Sequence, residues 1–278
     1  MQGWLKQSLR RIPLVTPLRV RQLQWGRNIA DWRQGIRFAR KSESPSFSHQ
    51  VLKHKSLIFR PLAGTDPQLQ HNKAVNLGIS IKEIDGVVIR PGETFSLWKL
   101  VGRPTARKGY LEGLTISGGQ VGSGTGGGLC QLANLIFWLG LHTPLEVAER
   151  HHHSFDLFPD NQRTLPFGSG TTIFYNYLDL RFYNPTDLEF QIRLWLSEKF
   201  LEGDIRSSRP MEREYRIEER NHRFEQEGQI WYRKNEIWRL VLDPGTHNVL
   251  EERLLIRNRS EVRYKLQLAQ EAEAAVRS

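Results

Sequence analysis

The stretch SGTGGGLCQLANLIFWLGLH, residues 123 to 142, sets the only cysteine of the chain, Cys130, between a glycine-rich loop and the first turn of an apolar helix. Backbone N–H groups and the positive end of a helix dipole converge at such a place and stabilise a thiolate, the form of cysteine that attacks carbonyl carbon. A thiolate nucleophile also needs a histidine base and a third polar group to orient the ring. Both follow in the chain: ERHHHSFD, residues 149 to 156, and then Asp160, Asn176 and Asp179. Read as a strand, residues 149 to 157 put Glu149, His151, His153 and Phe155 on one face, with Arg150, His152, Ser154 and Asp156 on the other. Loop amides ahead of the helix would then serve as an oxyanion hole.

The same residues support three other readings. A lone cysteine beside leucines is commonly an inert, buried side chain. GSGTGGG could cradle a carboxylate or phosphate on the helix N-terminus, although it lacks the spacing of dinucleotide and P-loop fingerprints. Cys130 with alternate histidines and Glu149 could hold a metal ion.

The elements that must position these groups can be read from periodicity. Leu129 to His142 is apolar nearly all round, which predicts a buried helix ended by Pro144. Residues 72 to 86 read as a helix closed by Gly86, Ser56 to Arg60 as a strand, and 113 to 128 as loop or ribbon. Thr171 to Tyr183 and Leu188 to Leu196 read as strands joined by an Asn-Pro-Thr-Asp turn. Hairpin strands follow, with turns near Asn221, Gly228, Asn235 and Pro244, and the tail from Arg259 reads as a helix.

At 278 residues the chain can bury a core without staples, and one cysteine excludes an internal disulfide, so a reducing, cytoplasmic setting is expected. No run approaches the roughly 18 apolar residues of a membrane span. The net charge of +10 is localised: the first 41 residues hold ten Lys or Arg against Asp31 alone, leaving 30 basic and 29 acidic residues beyond. Nucleic acid is therefore not the expected partner. Within the arm, Trp25, Ile29, Trp32, Ile36 and Ala39 recur at helical spacing among arginines. The expected reading is a solvated helix packed on its own domain; contact with anionic lipid, nucleic acid or an acidic partner is the alternative.

Three segments, RPGETFSLWKLVG, GTGGGLCQLANLIFWLGLHTPLEVAERHHHSF and LDLRFYNPTDLEFQI, together resemble the VanW family, over about Asn72 to Leu196. The resemblance maps Gly126, Gly127, Gly128, Cys130 and Gln131 onto the family's loop-helix motif, Glu149 or Arg150 with His153 onto a second, and Asp179 with Asn184 onto a third. It selects His153 from the three histidines and implies work on peptidoglycan precursors in glycopeptide resistance. Gly170-Thr171-Thr172 departs from the family's Asp-Ala-Thr at that point.

These observations give an α+β fold: a basic helical arm (1–41), an α+β domain (42–205) and a β-hairpin-rich extension (206–278) ending in a short helix. The expected site has Cys130 as nucleophile, His153 as base, Gln131 and the Gly128 amide at the oxyanion, and Asp179 as the acid. Gly126, Gly127, Gly128, Arg150 and His151 are its binding residues, and no cofactor or metal is expected. The expected chemistry is acyl transfer or amide hydrolysis on a cell-wall peptide or precursor. The alternative is a non-catalytic module that binds an anionic precursor, docked at the inner face of the membrane.

Overall fold

A computed structural model describes residues 15–43, 46–59, 66–117, 120–152, 154–157 and 165–264. His153, Asp160 and the proposed tail helix beyond residue 264 lie outside them.

The chain is α+β, with its core built by helices lying on antiparallel sheet. Helix α1 (Val15–Arg33) is the arm, followed by strands β1 (Arg40–Lys41) and β2 (His49–Leu57). Helix α2 (Pro67–Ile84) starts five residues earlier than periodicity predicts, because Asp66 caps it by accepting from Gln68 N and Pro67 occupies its first turn. Strands β3 (Val87–Ile89) and β4 (Thr94–Ser96), helix α3 (Leu97–Val101) and the ribbon β5 (Glu112–Ser117) and β6 (Gln120–Thr125) lead to helix α4 (Cys130–Leu141). Strands β7 (Glu146–Glu149), β8 (Phe155–Asp156), β9 (Arg181–Tyr183), β10 (Phe190–Leu196) and β11 (Phe200–Ser207) follow. Three long strands end the described chain: β12 (Glu214–Glu227), β13 (Ile230–Leu242) and β14 (Val249–Val262).

The largest sheet runs β1-β3-β10-β11-β2, a second β12-β13-β14-β8 and a third β4-β9-β7. Every pair is antiparallel except β14 with β8. Helix α4 packs on β11 and β2 and buries Leu132, Leu135, Ile136, Phe137, Leu139 and Leu141. Because its apolar residues surround the axis, the helix is fixed at the centre of the core, and its N-terminus is fixed with it.

Several local expectations are corrected. Residues 149 to 157 are not one strand: β7 stops at Glu149 and β8 spans only two residues, so alternation cannot decide which histidine shares a face with which. Residues 171 to 180 are irregular, folded by a tight turn at Phe174–Leu178 with Asn176 at positive φ, and only Arg181–Tyr183 is strand. The strand expected at Ser56 to Arg60 lies earlier, at His49–Leu57. Asn221 sits at a bulge inside β12 and Asn235 is buried within β13, where its amide donates to Phe167 O at 2.7 Å, so neither ends a strand. Residues 259 to 262 belong to β14 and not to a helix.

The arm packs on its own domain, as its helix was expected to. Its polar face, not its apolar stripe, meets the body: Gln24 donates to Tyr175 O, Arg27 to Tyr177 O, and Asp31 is buried against Arg181. Trp25 and Trp32 are 73% and 81% exposed. Past the helix, Ala39 is buried and hydrogen-bonded through its N–H to Thr94 O.

Candidate functional site

The loop before α4 is shaped by close backbone contact. Gly126 and Gly128 have φ of 78° and 92°, in the left-handed region. At Gly127 an added Cβ would lie 2.1 Å from the carbonyl carbon of Gly113, so β5 and the loop touch backbone to backbone. Asn76, fully buried on α2, clamps the contact: its amide donates to Gly127 O (2.9 Å) and Leu111 O (3.0 Å) and accepts from Leu111 N (2.8 Å). The N–H groups of Gly126 and Gly127 donate to Leu111 O and Gly124 O. Those two amides are therefore spent within the chain and do not form an anion cradle or oxyanion hole.

Cys130 opens α4. A helix terminus is worth about 0.3–1 kcal/mol to a nearby anion, whereas desolvating an ionised group can cost several kcal/mol. The larger effect decides the thiol. Burial pushes its pKa up, and the backbone N–H groups of Ile173 and Cys130 offset only part of this, although the residue as a whole is only partly buried. This is opposite in sign to the shift expected of an activated nucleophile. Iodoacetamide labelling of the folded chain should therefore show a pH midpoint above that of a free thiol, near 8.5; a midpoint at or below neutrality would restore the activated thiolate.

A strap of residues 168–173 lies along this helix end. Arg150 holds it by donating to the carbonyl oxygens of Gly168 and Gly170, its guanidinium standing 5.2 Å over the Phe137 ring. Burial pushes the Arg150 pKa down to about 10, which leaves it charged at neutral pH. Asn134 accepts from Thr171 N at 2.7 Å, and Thr172 N donates to His151 O at 2.8 Å.

A second constellation ties the arm to the body. Arg181 donates to both oxygens of Asp31, at 2.7 and 3.0 Å, and through Nε to Asp179 at 3.0 Å. Asp179, fully buried, also accepts from Ser96 Oγ (2.5 Å), Trp98 N (3.1 Å) and Leu180 N (2.9 Å). Glu149 accepts from Arg27, from Asp179 N (2.8 Å) and from His151 Nε2 (2.9 Å). Burial, and then the charge of Arg27, pushes the His151 pKa down.

Between α4 and β2 lies a cleft of about 190 Å³ lined by His54, Ser56, Gln131, Asn134, Leu135 and Leu165. The Gln131 amide donates to Ser56 Oγ (2.9 Å) and Leu57 O (2.7 Å). His54 Nε2 is buried with no hydrogen-bond partner among the described residues, and burial pushes that ring's pKa down.

The family model described as VanW like protein matches residues 72–206. Over 266 residues the chain is 29% identical to the Vancomycin B-type resistance protein VanW of Enterococcus faecalis (strain ATCC 700802 / V583), covering 94% of this chain and 95% of that protein. The chain is similar to the VanW family. It is also 31% identical over 125 residues to the uncharacterized protein YoaR of Bacillus subtilis (strain 168), covering 44% of this chain and 39% of YoaR. No solved structure matches it significantly.

Within this VanW-like chain the motif residues divide between two places. Gly126, Gly127, Gly128, Cys130 and Gln131 gather at the α4 terminus. Glu149, His151, Asp179 and Arg181 form the ion-pair network, and Arg150 staples the strap between them. Asp179 takes its four hydrogen bonds from Ser96, Trp98, Leu180 and Arg181, and no imidazole is among those donors. Among the described residues no group of three or more His, Cys, Asp or Glu is arranged to hold a metal ion. The sequence reading missed His54 because it began that strand at Ser56; alternation over 49–57 would have placed the two on one face. It also missed the Asp31–Arg181 pair, whose signal was a single acid in a basic arm.

Proposed function

We propose that this chain contributes to glycopeptide (vancomycin) resistance by binding a cell-wall precursor peptide without cysteine chemistry, the cleft between α4 and β2 receiving one end of the peptide. The observation that carries the reading is the cleft between α4 and β2, lined by polar groups, with the Cys130 thiol at the same helix end pushed up in pKa by burial, opposite to an activated nucleophile. The cleft supplies a neutral His54 with an unpartnered Nε2, the Ser56 hydroxyl and the Asn134 amide, groups suited to a peptide's polar end. At about 190 Å³ it is smaller than the roughly 300–1,000 Å³ of drug-sized pockets, so it admits a terminal group and not a whole precursor.

The rival reading keeps Cys130 as nucleophile with His153 as base in an acyl transfer or amide hydrolysis, and the Ile173 N–H directed at the thiol favours it. Cys130→Ser separates the two. The binding reading expects cells carrying the variant to keep their glycopeptide resistance and the purified variant to keep its affinity for a muropeptide, while His54→Phe, which fills the cleft, loses both. Loss of resistance in Cys130→Ser with affinity retained would overturn binding in favour of catalysis.

A further inference from the structure

The outward face of α1 carries chemistry that the body does not use. At 100° per residue, Trp25, Ile29 and Trp32 fall within an arc of about 60°, with Arg21 and Arg33 on its flanks. The three apolar side chains are 73%, 44% and 81% exposed, and with Asn28 they line a shallow apolar depression. A helix normally buries its apolar stripe, and this one buries Asp31 and half-buries Gln24 and Arg27 instead. Besides Arg21 and Arg33, the arm carries the exposed cations Arg19, Arg37, Arg40 and Lys41, of which Arg37 pairs with Glu93 and Lys41 donates to Lys82 O. The arm's one acid, Asp31, is already neutralised by Arg181 and Lys99 at 2.7 and 3.0 Å.

We infer that this face docks the protein on an anionic lipid surface, with Trp25, Ile29 and Trp32 inserted at the headgroup level and the flanking arginines paired with lipid phosphates. Tryptophan suits that depth because its ring is apolar and its N–H polar. A second copy of the chain is a poorer occupant, since pairing two stripes would bring two sets of arginines together. A protein partner is poorer too: three side chains fall short of the about 800 Å² per partner of a stable interface, whereas interfacial binding needs shallow insertion plus charge. This inference rests on the arm alone and stands or falls separately from the cleft.

The test is co-sedimentation of the full-length protein with phosphatidylcholine vesicles, with and without phosphatidylglycerol. The protein should pellet with the anionic vesicles only, and less so as salt is raised. Trp25→Ala/Trp32→Ala and Arg21→Glu/Arg33→Glu should each weaken partitioning about tenfold or more, with melting temperature and oligomeric state unchanged. Failure of the parent protein to pellet, or a double tryptophan variant that pellets like the parent, would overturn the inference. So would a lowered melting temperature in the tryptophan variant, which would mean that the stripe packs on the chain itself, or dissociation of a dimer, which would make a second copy the occupant.

Discussion

Arg181→Ala is expected to lower the unfolding free energy by about 3–5 kcal/mol, the range for removing one partner of a buried ion pair. Arg181 is the only cation bonded to both Asp31 and Asp179 among the described hydrogen bonds, and its side chain is 7% exposed. Its loss removes the cation that bridges the two carboxylates, leaving Asp31 with Lys99 alone and Asp179 with no cation among its described hydrogen-bond donors. Arg181→Lys should not recover the loss, because an ammonium cannot make the bidentate contact with Asp31 while reaching Asp179. Denaturant unfolding measures the change, and limited proteolysis should show α1 released first. The acid limb gives an independent reading. Burial raises the Asp31 pKa, but hydrogen bonds from Arg181 and Lys99 more than reverse this, so it ends below the ordinary carboxylate value. A depressed folded pKa contributes stability that is complete above the unfolded value, near about 3.9, and is lost as pH falls through the folded one. Asp31→Asn should therefore be less stable at neutral pH and lose less on acidification. An Arg181→Ala variant within about 1 kcal/mol of the parent would be an exposed-pair result and would contradict the network.

The second large effect is expected at the loop. Gly127→Ala should destabilise by about 3 kcal/mol or more, at or beyond the upper end for overpacking, because the new methyl would meet the Gly113 backbone and not a side chain that can swing aside. Asn76, which holds that contact with three hydrogen bonds, cannot follow the displaced strand without losing them. Cys130→Ala, one turn further on, removes a single sulfur from a partly buried position and should cost about 1 kcal/mol. Thermal melts of the two variants distinguish a loop fixed by packing from one whose glycines serve a ligand: equal, small shifts would favour the ligand.

What the sequence made legible follows from how local its causes are. The α4 helix was readable from Leu129 to His142 because its burial is encoded in its own residues and its ends in Gly128 and Pro144. The start of α2 was signalled as clearly by Asp66 and Pro67, although the reading began at Asn72. Residues 149 to 157 were misread because alternation of polar and apolar residues there reflects two tertiary anchors, not a pleat: Glu149 is held by Arg27 and Asp156 by Arg233 and Tyr264. The direction of the tryptophan stripe was hidden for the same reason, since the lone acid Asp31 marks α1 but its partner lies 150 positions away. The cleft was invisible without the register of β2 against α4.

The parallel pairing of β8 with β14 has a bearing on where this protein can be cut. Glu261 N donates to Ser154 O and Arg263 N to Asp156 O, so the far end of the described residues is laced to the residues just after the histidines, while the arm grips Glu149, two residues before them. The span 72–206 contains neither anchor. A fragment trimmed to those limits would keep the central helix and the bonds of Glu149, Arg150 and His151 to residues 168–181, yet lose the outer anchor on each side of the histidine stretch, so any piece meant to preserve all of its supports has to run nearly from end to end.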